Sequence, residues 1–335
     1  MLTELTAALR QPGGQGILSD GAYHQANLQI FLAALILLTL ATLTGLLLRY
    51  LKKQGRTRVV VENYNARVRS WWFMGGITAL AFMLGKVGII TLFAFISFYC
   101  LREFISMLYT RRADHWAIAA SFFIILPWQY TLIWTEWHSM YTTLIPVYAF
   151  LFLPILSALH KDSTRFLERT SKVQWGLMIC VYCISHVPAL LTLKIPGYEG
   201  RNLLLIAFLV IVVQGSDICQ YIVGKVTRDF PLTRRLVPEM TRKTIGTGLF
   251  SAAVLGLALW WMTPFTIWQA PLIAVCIAAM GMLGNLVMAA IKRDRGSKDW
   301  GDTIVGYGSM LDKLESVIFA APIFFHIIHR WWVLA

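Results

Sequence analysis

The chain has 335 residues, of which 57% are apolar or aromatic and 14% charged, with a mean hydropathy of +0.62 and a formal net charge of +13. Soluble domains run near 45–50% apolar with about a quarter of their residues charged, so an ordinary soluble enzyme, a disordered chain and a small disulfide-stapled domain are excluded. About ten helices of about 20 residues would take up roughly 200 positions. The expectation is an all-α, polytopic integral membrane protein with about ten transmembrane helices.

Residues 1–26 read as a polar N-terminal tail. The tail lacks a basic segment running directly into an apolar one, so it is not read as a cleavable signal peptide. Residues 27–335 read as one multi-span membrane domain without internal repeats. Apolar runs fall at 28–48, 71–85, 87–109, 115–134, 139–159, 173–193, 202–224, 246–264, 270–291 and 316–334. The second run is short, and 71–109 suggests a tight hairpin around Gly85 and Lys86. Trp71-Trp72, Trp260-Trp261 and Trp331-Trp332 sit at run ends, where indole rings favour the headgroup layer. His326 and His329 read as interfacial as well. The five cysteines (Cys100, Cys180, Cys183, Cys219, Cys276) lie mostly in apolar stretches. Cys180-x-x-Cys183 with His186 nearby is a weak redox or metal signal against the plainer reading of small buried hydrophobes.

Cations favour the loops left on the cytoplasmic side. With the first run crossing inward, the five linkers then placed in the cytoplasm hold 24 of the 30 Lys and Arg. Arg10, Lys86, Lys194, Arg201 and Arg330 fall on the other side, and Arg102 lies within a run. Both termini are then expected to face away from the cytoplasm, and the pattern suits a bacterial inner membrane. Nucleic-acid binding would need a soluble basic face, which no polar segment here is long enough to build.

Two segments hold charge that loops alone do not explain. In the first, Asp217 falls inside the apolar run 202–224. An ionisable group at that depth costs several kcal/mol unless it faces a polar cavity. Gln220, Tyr221 and Gly224 follow at helical spacing on the same face, and Lys243, Thr244 and Gly248 come after a basic loop. The competing reading is an Asp that merely hydrogen-bonds a neighbouring helix.

The second segment runs from Gly284-Asn285 through Lys292, Arg293, Asp294, Lys298, Asp299 and Asp302 to Gly306-Tyr307-Gly308, Asp312 and Glu315. Its cations suit phosphate oxygens, and its carboxylates suit Mg²⁺, which keeps water and substrate phosphate among its ligands. Gly306 and Gly308 would let backbone N–H groups approach an anion. Asp312 and Glu315, at i and i+3, can point one way from a helix. A solvated charged loop would account for the composition, but not for the glycine spacing or the carboxylate pair.

These residues resemble the signature of the phosphatidate cytidylyltransferases (CDP-diacylglycerol synthases). That signature reads Ser-x-x-Lys-Arg, four residues, Lys-Asp-x-Gly, then Pro-Gly-His-Gly-Gly-x-x-Asp-Arg-x-Asp-Ser. Lys292-Arg293, Lys298-Asp299, Gly301, Gly306, Gly308, Asp312 and Ser316 match in register. Asp217-x-x-Gln-Tyr-x-x-Gly-Lys225 and Lys243-Thr244 resemble the family's second conserved region. The general likeness runs from about residue 70 and includes Arg102-Glu103. Departures are Asn285 for a metal-binding Asp, Ala289 for Ser, Val305 for Pro, Tyr307 for His, Ser309 for Gly, Lys313 for Arg and Glu315 for Asp. The Ser-Pro pair near Lys243 is missing, and Gly246 takes a Glu position.

The resemblance implies a catalytic region over 202–316 that joins CTP to phosphatidate, giving CDP-diacylglycerol and pyrophosphate. It implies Mg²⁺, together with a monovalent cation, held by Asn285, Asp312 and Glu315. Catalytic roles then fall to Asp312, Lys298 and Asp299, and substrate contacts to Asp217, Lys243, Thr244, Lys292, Arg293, Gly306 and Gly308. It also implies a homodimer among membrane lipids. Two other readings stand beside this one: a paralogue acting on another lipid phosphate, and a catalytically silent lipid-binding membrane protein. Transport is disfavoured because the polar residues gather at one face instead of lining a path across the midplane.

Overall fold

The computed structural model describes residues 56–159, 163–226, 236–237, 240–297, 299–301 and 308–333, with scattered positions between 35 and 50. The polar tail and the linker positions 298 and 302–307 lie outside the described residues, and with them the assignments made for Lys298 and Gly306. Among the described residues the chain is helical, with no β-strand. In lipid each backbone N–H and C=O must find a partner within its own segment, and a helix achieves this for a continuous apolar run.

The helices follow the apolar runs: α1 Arg56–Met83, α2 Gly85–Ser106, α3 Arg112–Trp134, α4 His138–Ala158, α5 Phe166–Thr192, α6 Asn202–Val226, α7 Arg242–Ala258, α8 Gln269–Asp294 and α9 Met310–Ile328. Of these, α2, α3, α4, α5, α6 and α8 are long and apolar enough to cross a membrane. About ten spans were expected; among the described residues this count is not confirmed, for three physical reasons. The run at 71–85 is the second half of α1, whose apolar part covers only Trp72–Met83. Helix α7 has 17 residues, and α9 opens on Asp312, Lys313 and Glu315. The run at 28–48 is only partly described.

Wide π turns interrupt α3 at Ser121–Ile125, α4 at Leu144–Ala149 and α5 at Met178–Cys183. Pro146 lies within the second, and Pro127 and Pro188 follow the other two within five residues. A proline removes one ladder donor and crowds the preceding turn, and an inserted residue relaxes that crowding.

Helix α9 is the hub. It packs on α6 and α8 on one side and on α2 and α5 on the other, while α7 closes against α6 and α8. Small residues set how closely it approaches α8. A Cβ on Gly284 would lie 2.6 Å from Phe319, and one on Gly281 would lie 3.2 Å from the Ser316 carbonyl oxygen. Close approach of this kind drives helix association in lipid, where van der Waals packing replaces the hydrophobic effect. The core around it is continuous and includes Leu101, Phe104, Val181, Leu205, Phe208, Ile277, Phe324 and Phe325.

The two ends of the bundle differ in character. At one end, Glu136 in the α3–α4 turn accepts from Lys86 (2.7 Å) and pairs with Lys194 (3.1 Å). The two ammonium groups hold the Glu136 carboxyl below the ordinary carboxylate range. Seventeen residues along α2 from Lys86, about 26 Å at the helical rise, Glu103 marks the other end.

Candidate functional site

At the Glu103 end a cavity of about 450 Å³ opens between α6, α7, α8 and α9. Its wall includes Asp217 and Gln220 from α6, Thr244 from α7, Asn285 from α8, and Asp312, Glu315 and Ser316 from α9. Positions 312, 315 and 316 share one helix face because three and four residues each complete about one turn. Asn285 follows directly on Gly284, so the same close packing that joins α8 to α9 brings its amide to Ser316.

The polar groups divide into two linked sets. In the first, the Ser316 hydroxyl is within hydrogen-bonding reach of the Asp217 carboxylate and of Asn285 Oδ1 at 2.9 Å. In the second, Lys292 Nζ sits 2.9 Å from Asp312 Oδ1 and 2.8 Å from Glu315 Oε1. Trp300 completes this set: its indole N–H donates to Glu315 Oε1 (2.7 Å) and its backbone N–H to Asp312 Oδ2 (3.3 Å). The Trp300 ring is buried and stacks on Phe104, with centroids 5.3 Å apart.

Thr244 lies in the first turn of α7. Its hydroxyl accepts from the Thr241 backbone N–H at 2.8 Å, and Thr241 Oγ1 accepts from the Thr244 N–H at 3.2 Å. This reciprocal cap stops the helix end from fraying. Gln220 packs tightly against α7, where a Cβ on Gly248 would lie 2.6 Å from its side chain. Its buried Nε2 donates to no protein group among the described residues.

The structure therefore brings Asp217, Thr244, Asn285, Asp312 and Glu315 to one cavity, with Lys292 bound to its carboxylates. Lys243, Arg293 and Asp299 are exposed at the same end and are not part of the wall. Gly308 adopts φ 91°, a backbone conformation that favours glycine.

Sequence reasoning passed over Trp300, which sits between two signature residues but was outside the tryptophan pairs read as membrane anchors. It also gave Glu103 no role. That residue is a carboxylate inside an apolar run, the same signal that singled out Asp217.

The donors facing the cavity are hard oxygens, as Mg²⁺ requires. Among the described residues, however, no three His, Cys, Asp or Glu side chains form a ready-made cage. This fits an ion held by one or two carboxylates together with substrate phosphate. It does not fit an ion enclosed by protein alone.

The cytidylyltransferase family matches this chain over residues 65–331. The uncharacterized protein YnbB of Escherichia coli (strain K12) is 32% identical over 297 residues, covering 87% of this chain and 95% of that protein. The phosphatidate cytidylyltransferase of Staphylococcus aureus (strain COL) is 30% identical over 159 residues, and that of Staphylococcus saprophyticus subsp. saprophyticus is 28% identical over 159. These two alignments span 46% of this chain and 60% of each relative. The family match takes in α2 to α9 and every residue of the cavity wall, and on that extent this membrane-embedded chain belongs to the cytidylyltransferase family.

Proposed function

We propose that the protein transfers a cytidylyl group from CTP to phosphatidate, giving CDP-diacylglycerol and pyrophosphate. The observation that carries this reading is one cavity, at one end of an apolar bundle, walled by Asp217, Asn285, Asp312, Glu315 and Ser316 in a chain of this family. The basic linkers support placing that end in the cytoplasm, where CTP is, with the chain in a bacterial inner membrane and about ten spans in all.

In the reaction an oxygen of the lipid phosphate bonds to the α-phosphorus of CTP. The bond from that phosphorus to the bridging oxygen breaks, and pyrophosphate leaves with the electron pair. The lipid phosphate is already anionic near neutral pH, so no strong general base is required. The difficulty is joining two polyanions in line.

Lys292 exchanges Asp312 and Glu315 for phosphate oxygens, Lys243 and Arg293 draw phosphates to the same end, and Lys298 takes the catalytic role that the signature assigns to it. Gln220 Nε2 offers a donor, Thr244 lines the cavity, and the signature positions Gly306 and Gly308 are assigned to substrate contact. Asp217 orients Ser316 and Asn285, and Asp299 orients the cations beside it. Asn285, Asp312 and Glu315 would hold Mg²⁺, with a monovalent cation beside it. When bound, Mg²⁺ supplies neutralisation of the phosphate charge. The homodimer that the resemblance implies is tested by the mass of the detergent-solubilised particle.

The test is formation of CDP-diacylglycerol by the purified protein with CTP, Mg²⁺ and phosphatidate, beside Asp312→Ala. Turnover lost in the variant supports the reading. Asn285, which removes a charge from the wall, favours one alternative, a different lipid phosphate as acceptor. CTP binding without turnover on phosphatidate would support that alternative. A protein that binds no CTP would instead be a silent lipid-binding member.

A further inference from the structure

We propose that Glu103 is a positioning residue that sets the register of the site by capping the helix that carries it. Resting on the reading above, this assigns to α2 a part in a reaction whose other groups come from α6 to α9.

Helix α9 begins at Met310, and its first amides have no partner within the helix. Glu103, buried in α2, accepts from the Met310 N–H at Oε1 (3.0 Å), and from the Leu311 N–H (2.9 Å) and the Ser309 hydroxyl (2.8 Å) at Oε2. Ser309 Oγ in turn accepts from the Asp312 N–H at 3.2 Å. One carboxylate from more than 200 residues away thus holds, directly or through Ser309, three successive amides of α9. Its negative charge faces the positive end of the helix dipole.

Asp312 is the third residue of α9, and Glu315 and Ser316 lie one turn further on. A shift of this turn moves all three relative to Asn285, Lys292 and Asp217 on the neighbouring helices. The next residue of α2, Phe104, stacks on Trp300, which binds both Asp312 and Glu315. The end of α2 therefore fixes the carboxylate pair from two directions without facing the cavity.

Glu103→Gln tests this. The amide keeps one acceptor oxygen but turns an N–H toward an N–H of α9. Misalignment acts on the transition state more than on substrate binding, so kcat should fall about tenfold or more while KM for CTP changes less than about threefold. Amide hydrogen exchange at Met310, Leu311 and Asp312 should quicken by about tenfold, with exchange in α4 unchanged. Glu103→Asp, which retains both acceptors, should recover part of both. Unchanged turnover and exchange in Glu103→Gln would overturn the proposal, as would exchange accelerated uniformly along the chain. If Glu103→Gln does not fold, Ser309→Ala removes one link and is judged by the same local exchange. If the unaltered protein makes no CDP-lipid, the functional reading fails, while exchange at α9 still decides the role of Glu103.

Discussion

At position 285 an amide stands where the family pattern has a carboxylate, and the cavity wall loses one negative charge. Asn285→Asp should therefore tighten the Mg²⁺ requirement, lowering the half-saturating concentration by roughly tenfold, about 1.4 kcal/mol. A Mg²⁺ titration of turnover checks this, and an unchanged or weakened requirement would count against Asn285 as a partner of the ion. The Lys292, Asp312 and Glu315 side chains are only 13%, 19% and 11% exposed. Removing the cation with Lys292→Met strands two largely buried carboxylates, a loss of about 3 kcal/mol. Thermal unfolding in lipid nanodiscs should show a lowered midpoint. These side chains were legible in the sequence because ionisable groups are conspicuous in an apolar chain. Their division into two sets was not, since Lys292 and Asp312 are 20 residues apart and meet only through the packing of α8 on α9.

Among the helices, the α8–α9 contact matters most for the site. Gly284→Leu would drive a side chain into Phe319 and should cost about 1–3 kcal/mol by overpacking, with loss of turnover as Asn285 withdraws from Ser316. Gly246→Ala in α7 is the control. A Cβ there meets nothing within 4 Å, and helix propensity favours Ala over Gly by about 1 kcal/mol. Unfolding midpoints of the two variants should move in opposite directions, and a shared direction would refute the close-packing account. Most helices were readable as apolar runs within a few residues. The π turns were less so, because a proline marks a disturbance without saying how the ladder absorbs it. Glu103 carried the signal of a carboxylate inside an apolar run, but its capping role was hidden for a related reason: two of its three partners are backbone N–H groups, which leave no trace in residue identity.

Across the whole molecule, the charged end and the Glu136 end offer separate handles. Glu136 has its carboxyl depressed by Lys86 and Lys194, so its contribution is full above the unfolded carboxylate value, about 4.3. It is lost as pH falls through the lower folded value. Hydrogen exchange in the α3–α4 turn should therefore quicken below about pH 4, and Glu136→Gln should remove that dependence. Lys194→Cys and Asp299→Cys should react with impermeant thiol reagents from opposite sides of the membrane. Labelling from one side only would overturn the orientation drawn from the basic linkers. That orientation was inferred from charge counts alone, whereas the gathering of Lys86, Glu136 and Lys194 at one end is a matter of helix path.

The ammonium of Lys292 between two carboxylates has a consequence for selectivity. The trio is already satisfied, so a neutral molecule entering the cavity has nothing to trade for it. Only a guest that brings a cation for Asp312 and Glu315, and an anion for Lys292, recovers what opening the trio forfeits. A metal–nucleotide complex is such a guest, whereas a nucleoside without phosphates is not. On the proposed function, the three residues would act as a charge lock, turned by a matched pair of opposite charges and indifferent to either one alone.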